Sequence, residues 1–426
     1  MRRLPGAALA AFFLAATAAQ AGTAPVLALP SANHSPSAAA APTGPDLLFE
    51  QGEFEQARIG YEAVPKSSPK YEDALRQLGA IALAQNHLGE AENLLTGAHA
   101  RNPADLHCVG LLAETLNREG RFADMAQLLK QLGRPERAAE FALFGKSVPY
   151  RVVGKPGAVT IEFQWTAPLP VVRAKVNGVE GLFLIDTGAP EIILDPDFAR
   201  DAHVQATAAA AAGSRGAAPS FGRVGQFVLP GLETDDVPAL LLTTRGLSSV
   251  ARNKRIAGVI GTEFLSHFRP TLDYVHDRMI LEPLDTPSKG AGAIAEIPFW
   301  FVGDHFLLAR GRLDQGPKQL FLVDTGMAHT AFTAPDSTLR DAGVPVPAPQ
   351  GPARSAIGQP PSAPFPIASL SLGSLTEKNI TGAYGPFPLG LENGLGVHIG
   401  GIVSHGFFEP YAVTFDFVRM TIAIRK

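Results

Sequence analysis

"LFLVDTG", Leu320–Gly326, is an apolar run that ends abruptly on a carboxylate, a hydroxyl and a glycine. Nearly the same heptad, "LFLIDTG", stands at Leu182–Gly188, with Ile185 in place of Val323. The two acids lie 324 − 186 = 138 residues apart, about one domain's length. Placing an aspartate at the end of a buried strand is costly. A chain that does so twice, in the same setting, has a use for the pair.

The repetition extends outward from the heptads. "GVIGTEFLSHFRPTLDYVHDRMIL" begins at Gly258 and "GIVSHGFFEPYAVTFDFVRMTIAI" at Gly401. From each leading glycine to the aspartate of "LDY" or "FDF" is 273 − 258 = 416 − 401 = 15 residues. Upstream of these, "FVLPGLETDDVPAL" from Phe227 parallels "LSLGSLTEKNITGA" from Leu370. Period-two alternation, β-branched and aromatic residues, and frequent Gly/Pro breaks mark both copies as strand-rich. Each heptad therefore leads its own β-rich lobe, residues 150–285 and 294–426, with "DTPSKGAGA" (Asp285–Ala293) as the joint.

Bulk composition narrows the classes. Of 426 residues, 46% are hydrophobic and 18% charged, which is a globular balance and not a disordered one. The net charge of −4 lacks the basic footprint of a nucleic-acid binder, so that partner is excluded. Cys108 is the only cysteine, which rules out an intrachain disulfide and reads as a small buried residue.

The N-terminus carries Arg2 and Arg3, an apolar run from Ala7 to Ala19, and a small-x-small site at Ala19-Gln20-Ala21. This is the pattern of a signal peptide over residues 1–21, too short to span a bilayer comfortably. Cleavage would take the formal charge to −4 − 2 = −6. Export is expected, to the periplasm in the first instance, with secretion or an uncleaved anchor as alternatives. No stable membrane span is expected after cleavage. Residues 22–44, rich in Ala, Pro and Ser, read as a flexible linker.

Residues 45–146 have helical periodicity. Leu78, Gly79, Ala82, Ala91, Leu95, Ala98 and Pro103 fall at the spacing of the tetratricopeptide repeat, which this segment resembles, and Pro69 precedes Pro103 by 34 residues. Ser68 and Asn102 are expected to cap helices whose first turns begin at Pro69 and Pro103. Such hairpins stack into a short solenoid. It serves either as a groove for a protein partner or as a plain helical spacer.

A hydrophobic strand, Asp-Thr-Gly, and later an apolar-apolar-Gly turn is the pattern of the aspartic proteases, which residues 150–426 resemble. The resemblance implies a pepsin-type pair of retropepsin-like lobes with the substrate cleft between them. One acid from each lobe, Asp186 and Asp324, would form the catalytic dyad. It also implies that Thr187 and Thr325 lock the two loops across a pseudo-two-fold axis, and that Gly188 and Gly326 permit the tight turn. Gly261 and Ser404 would be the turn residues beside the dyad. Two carboxylates a few ångströms apart cannot both ionise cheaply, so they share a proton. The ionised member can activate water and the protonated one can support the substrate carbonyl. That chemistry needs no metal and no cofactor, and a single chain suffices for it.

Three departures from the pattern are visible. Ala189 and Met327 follow the two motifs where pepsins carry a hydroxyl, which predicts less acidic carboxyls and a weakly acidic to neutral optimum. Ser404 replaces the glycine of the second turn. The flap stretch, Thr207–Phe221, contains no tyrosine. Two other motifs are read as structural: Ser404-His405, which lacks the spacing of a hydrolase elbow, and the glycine-rich Gly390–Gly401, which lacks a phosphate-binding lysine.

The expectation is a multidomain α+β chain, helical hairpins followed by a bilobal all-β protease fold. The leading function is an exported aspartic endopeptidase acting on polypeptide. The alternative is a non-catalytic peptide- or partner-binding scaffold built on the helical repeats.

Overall fold

The computed structural model describes residues 44–155, 157–207, 220–287, 292–348, 363–385 and 391–426. The expected signal peptide, almost all of the expected linker, and most of the stretch expected to form the flap lie outside the described residues. Among those described, no helix is long and apolar enough to cross a membrane.

Helices run from Pro45–Glu50 through Phe54–Glu62, Tyr71–Ala84, Leu88–His99, Leu106–Arg118, Phe122–Gln131 and Pro135–Ala142. Consecutive helices pack because small residues face one another. Ala82, Ala91, Leu95 and Ala98 are buried together, and a Cβ on Gly79 would fall 2.6 Å from Leu95 Cγ. Cys108 is buried in the same cluster, its thiol pushed up to about 12 by burial, and so behaves as a small apolar residue.

The helix starts differ from expectation. Ser68 Oγ accepts from Lys70 N–H and Asn102 Oδ1 from Ala104 N–H, so each makes a local turn before the helix begins. Asp105 is the true cap, accepting from His107 N–H and Cys108 N–H. Its carboxylate also takes Arg76 at 2.8 Å, a partner on the preceding hairpin that local spacing does not reveal.

Two β-lobes follow. In lobe 1 the strand Val179–Ile185 lies parallel to Gly258–Ile260, with Ile185 facing Ile260. In lobe 2 the strand Gln319–Asp324 lies parallel to Ile399–Ser404, with Asp324 facing Ser404. A shared sheet joins the lobes beneath these motifs. Its central pair is Phe268–Asp273 from lobe 1 against Ala412–Asp416 from lobe 2, in antiparallel register. Thr271 sits opposite Thr414, their hydroxyls 2.7 Å apart. These are the matching positions of the duplicated "LDY" and "FDF" stretches, so the pseudo-two-fold axis passes between them.

The helical region is seated on both lobes. Phe49, Phe54, Ala57, Tyr61, Ala74 and Ile81 share a buried cluster with Leu320, Leu322 and Met327 of lobe 2. Burial at this scale is a strong driving force for docking. On the other side, Arg137 Nη1 donates to Glu191 of lobe 1 at 2.8 Å, and Arg118 Nη2 to the Gly303 carbonyl of lobe 2 at 2.6 Å.

Candidate active site

Each heptad delivers its aspartate by the same local logic. Leu-Phe-Leu followed by Ile or Val extends the chain through the core, with Phe183, Leu184, Ile185, Phe321, Leu322 and Val323 fully buried. The chain then turns sharply, and each carboxylate takes up the amide two residues on. Gly188 N–H donates to Asp186 Oδ1 at 2.7 Å and Gly326 N–H to Asp324 Oδ1 at 2.8 Å.

The loops cross at the axis. Thr187 N–H donates to Thr325 Oγ1 and Thr325 N–H to Thr187 Oγ1, both at 3.0 Å. The Thr187 hydroxyl donates onward to the Val323 carbonyl at 3.1 Å. Glycine is required here for space. A Cβ on Gly188 would fall 2.4 Å from Asp324 Cγ, and one on Gly326 would fall 2.1 Å from Asp186 Cγ. Each carboxyl thus rests against the other lobe's glycine.

The turns beneath the loops complete the frame. A Cβ on Gly261 would fall between 2.4 and 2.7 Å from the carbonyl oxygens of Glu191, Pro190 and Ala189. Ser404 fits its own turn without distortion, because its hydroxyl donates to the Asp324 carbonyl at 2.6 Å and the Met327 carbonyl at 3.2 Å. The serine is therefore part of the loop's support, as the structural reading of Ser404 implies.

The two carboxyls are buried, at 2% exposure for Asp186 and 0% for Asp324, and they hydrogen-bond to each other. Burial raises both above the ordinary aspartate value. Asp324 is raised well above it, because the Asp186 charge adds to burial. Asp186 is raised too, but the Gly188 amide, the bond with Asp324, the charge of His305 and the Gly326 amide all oppose the shift. Asp324 Oδ2 accepts from no donor among the described residues, the condition that a proton held between the carboxyls relieves. The pair can share one proton between the two carboxyls, the arrangement that activates water and protonates a carbonyl oxygen.

Several buried polar residues outside the motifs were not singled out by the sequence. Glu191, five residues beyond Asp186, receives Arg137, whose guanidinium also lies over the Phe221 and Phe141 rings at 4.7 Å. Glu263 accepts from Asn117 Nδ2 at 2.5 Å and the Tyr150 hydroxyl at 3.0 Å. Asp304 and His305 occupy the turn between the strands Ala295–Val302 and Phe306–Leu313. The available signal was a charged pair in "FVGDHFLL", flanked by apolar strand on both sides. Phe221, at the end of the flap stretch, is held under Arg137. Thr207 and Ser220–Phe221 are the described part of that stretch.

Residues 172–264 match a protein-family model described as aspartyl protease. The resemblance read from the heptads is thereby borne out on lobe 1, and the second heptad repeats the same site. Among solved structures, the chain is similar to a retropepsin-like aspartic protease from Rickettsia conorii, with 18% identity and a TM-score of 0.22. That match covers 32% of this chain and 95% of the other. It is also similar to Basic 7S globulin from soybean, with 11% identity and a TM-score of 0.37, covering 64% of this chain and 95% of that one. No curated relative matches the chain. The family match and the two-lobed architecture support a peptidase of the aspartic type.

Proposed function

We propose that the chain is an exported aspartic endopeptidase that hydrolyses peptide bonds with water activated between Asp186 and Asp324. The observation that carries this reading is the reciprocal threonine lock, which sets the carboxyl of each lobe against the motif glycine of the other. The ionised Asp186 takes a proton from water as the oxygen attacks the scissile carbonyl. The protonated Asp324 gives its proton to the carbonyl oxygen, and the resulting diol collapses with proton transfer to the departing amine. The N-terminal charge-apolar-small pattern supports export to the periplasm, with the mature chain starting at Gly22.

The competing reading is a scaffold that binds a partner through its helical repeats and performs no chemistry. Near-complete burial of both carboxyls favours it. Asp324→Asn decides between the two. On the peptidase reading, hydrolysis of a peptide library falls by about a thousandfold or more, in line with the loss of an essential acid–base group, and pepstatin binds the wild type. Hydrolysis that survives the change would end the shared-dyad mechanism. Failure to bind pepstatin together with partner capture would favour the scaffold.

A further inference from the structure

Duplication makes the two lobes comparable position by position, and the helical region holds them at points that do not correspond. Three residues past the acids stand Ala189 and Met327, and five residues past them stand Glu191 and His329. Two residues past the turn positions Gly261 and Ser404 stand Glu263 and Gly406. Lobe 1 therefore carries acids at Glu191 and Glu263, both buried, where lobe 2 has an exposed histidine and a glycine.

Those two acids belong to one bonded unit. The active loop of lobe 1 is tied to the turn beneath it, Thr262 N–H donating to the Ala189 carbonyl at 2.9 Å and Glu263 N–H to the Pro190 carbonyl at 2.7 Å. The helical region holds both sides of that tie. Arg137 Nη1 donates to Glu191 Oε1 at 2.8 Å and Oε2 at 3.1 Å, and Asn117 Nδ2 donates to Glu263 Oε1 at 2.5 Å. Arg137 is itself fixed. It is 3% exposed, it pairs with Glu140 on its own helix, and its guanidinium lies 4.7 Å from the Phe141 and Phe221 rings. A buried guanidinium with carboxyls on it adds little net stability, but its planar fork fixes the direction of its partners. In lobe 2 the corresponding ties run from Ser404 N–H to the Ala331 carbonyl at 2.9 Å and from Gly406 N–H to the Thr330 carbonyl at 3.0 Å. Gly406 offers no side chain to hold, and the loop meets the helical region at Met327, buried in one cluster with Phe49 and Phe54.

We propose that Arg137 of the helical region is a positioning residue for the dyad, fixing through Glu191 the loop that carries Asp186. The path is short. The Glu191 carbonyl is one of the three that crowd Gly261, and the next residue, Thr262, donates its hydroxyl to the Thr187 carbonyl at 2.8 Å. A shift at Glu191 therefore passes into the turn that supports the loop. The helical region is on this account a working part of the catalytic unit and not a spacer. It reaches the loop of lobe 1 by a charged contact and that of lobe 2 by apolar packing, so the two holds can be loosened separately. This inference rests on the peptidase reading for its activity test but not for its exchange test.

The exchange test compares amide hydrogen exchange in the full-length wild type and Arg137→Met, which keeps an apolar stem and removes the donors. Peptides covering Thr262 and Glu263 should exchange about tenfold faster, and peptides covering Ser404 and Gly406 at the same rate as before. Unchanged exchange at Thr262 and Glu263 overturns the proposal. So does equal quickening in both lobes, which marks a general loss of stability. The activity test measures kcat and KM for a peptide substrate with the same two proteins. The expected result is a fall in kcat of about tenfold to a hundredfold with KM held within about twofold. No fall, or a loss confined to KM, overturns the proposal. If Arg137→Met does not fold, Glu191→Gln weakens the same contact from the loop side and is read in the same two ways. A wild type that cleaves nothing, while Arg137→Met loosens lobe 1 alone, would sink the peptidase reading and leave the hold on the loop standing.

Discussion

In lobe 1 the turn beneath the active loop is Gly261-Thr262, and the hydroxyl that ties the loop comes from Thr262, donating to the Thr187 carbonyl at 2.8 Å. In lobe 2 the matching turn is Ser404-His405, and the hydroxyl comes one residue earlier, from Ser404 to the Asp324 carbonyl at 2.6 Å. Both lobes thus hold a loop carbonyl with a buried hydroxyl, supplied from adjacent positions of a duplicated turn. Gly261 and Ser404 both have extended backbone, so neither position demands glycine for its φ angle. What differs is space. The carbonyls of Ala189, Pro190 and Glu191 crowd the first turn, while the second has room for a side chain that bonds. Duplication preserved the task and allowed the residues to drift around it.

The comparison is sharpest at the axis, where drift is forbidden on both sides. Gly326→Ala would put a methyl 2.1 Å from Asp186 Cγ, against a carboxyl that is itself packed into the other loop. The expected result is loss of peptidase activity by at least about a hundredfold, since even a small displacement of reacting groups is that costly. Activity within a few-fold of wild type would mean that the loops separate more readily than their hydrogen bonds imply.

One step away from the axis, exchanging the two turns tests whether their difference is spatial. Gly261→Ser brings a side chain against three main-chain oxygens that cannot swing aside, and should destabilise the protein by about 2–3 kcal/mol. Ser404→Ala removes a hydroxyl from two buried carbonyls and should cost about 1–2 kcal/mol. Denaturant unfolding of the two variants gives the order directly. A smaller loss for Gly261→Ser than for Ser404→Ala would reverse the assignment of crowding to lobe 1.

How far the sequence carried the reading follows from where its information is local. The heptads are local: strand, acid and glycine are adjacent in the chain, and the repeat at 138 residues announces a pair. The match between the "LDY" and "FDF" stretches is local in the same way, and they meet at the axis through Thr271 and Thr414. The buried polar contacts between the helical region and lobe 1 were not legible, because their bonds join distant segments. Arg137 and Glu191 are 54 residues apart, and Asn117 and Glu263 are 146 apart, and no periodicity links them. Asp304-His305 is a short polar pair in a turn, a place where solvated groups are ordinary, and only the structure shows both side chains buried. The helix starts failed for a related reason: Asp105 earns its cap partly through Arg76, on the preceding hairpin.

The helical region itself touches the two lobes in contrasting ways, and pH separates them. Against lobe 2 the contact is largely apolar, from Phe49, Phe54 and Ile81 to Leu320 and Met327, with the exposed-edge pair Arg310–Glu53 at 2.9 Å beside it. Against lobe 1 and the Asp304 turn, apolar packing of Phe122, Phe141 and Phe144 is joined by an acidic cluster. Burial is the first cause of raising Glu114 to about 8 and Glu191 to about 7, and it also raises Glu140 and Glu263, despite the opposing pull of Arg118 or Arg137. A carboxyl raised in the folded state binds its proton more tightly there than in the unfolded chain. Its contribution to stability is fully present below the unfolded value of about 4.5 and is lost as pH rises through the folded value. The dyad carboxyls, also raised, follow the same sign. Calorimetry should therefore show Tm falling by about 5 °C or more between pH 5 and pH 8.5. Glu191→Gln, which cannot ionise, should flatten part of that slope while leaving the apolar contact with lobe 2 intact. A Tm independent of pH over this window would mean that the acidic cluster at the lobe 1 contact is open to water.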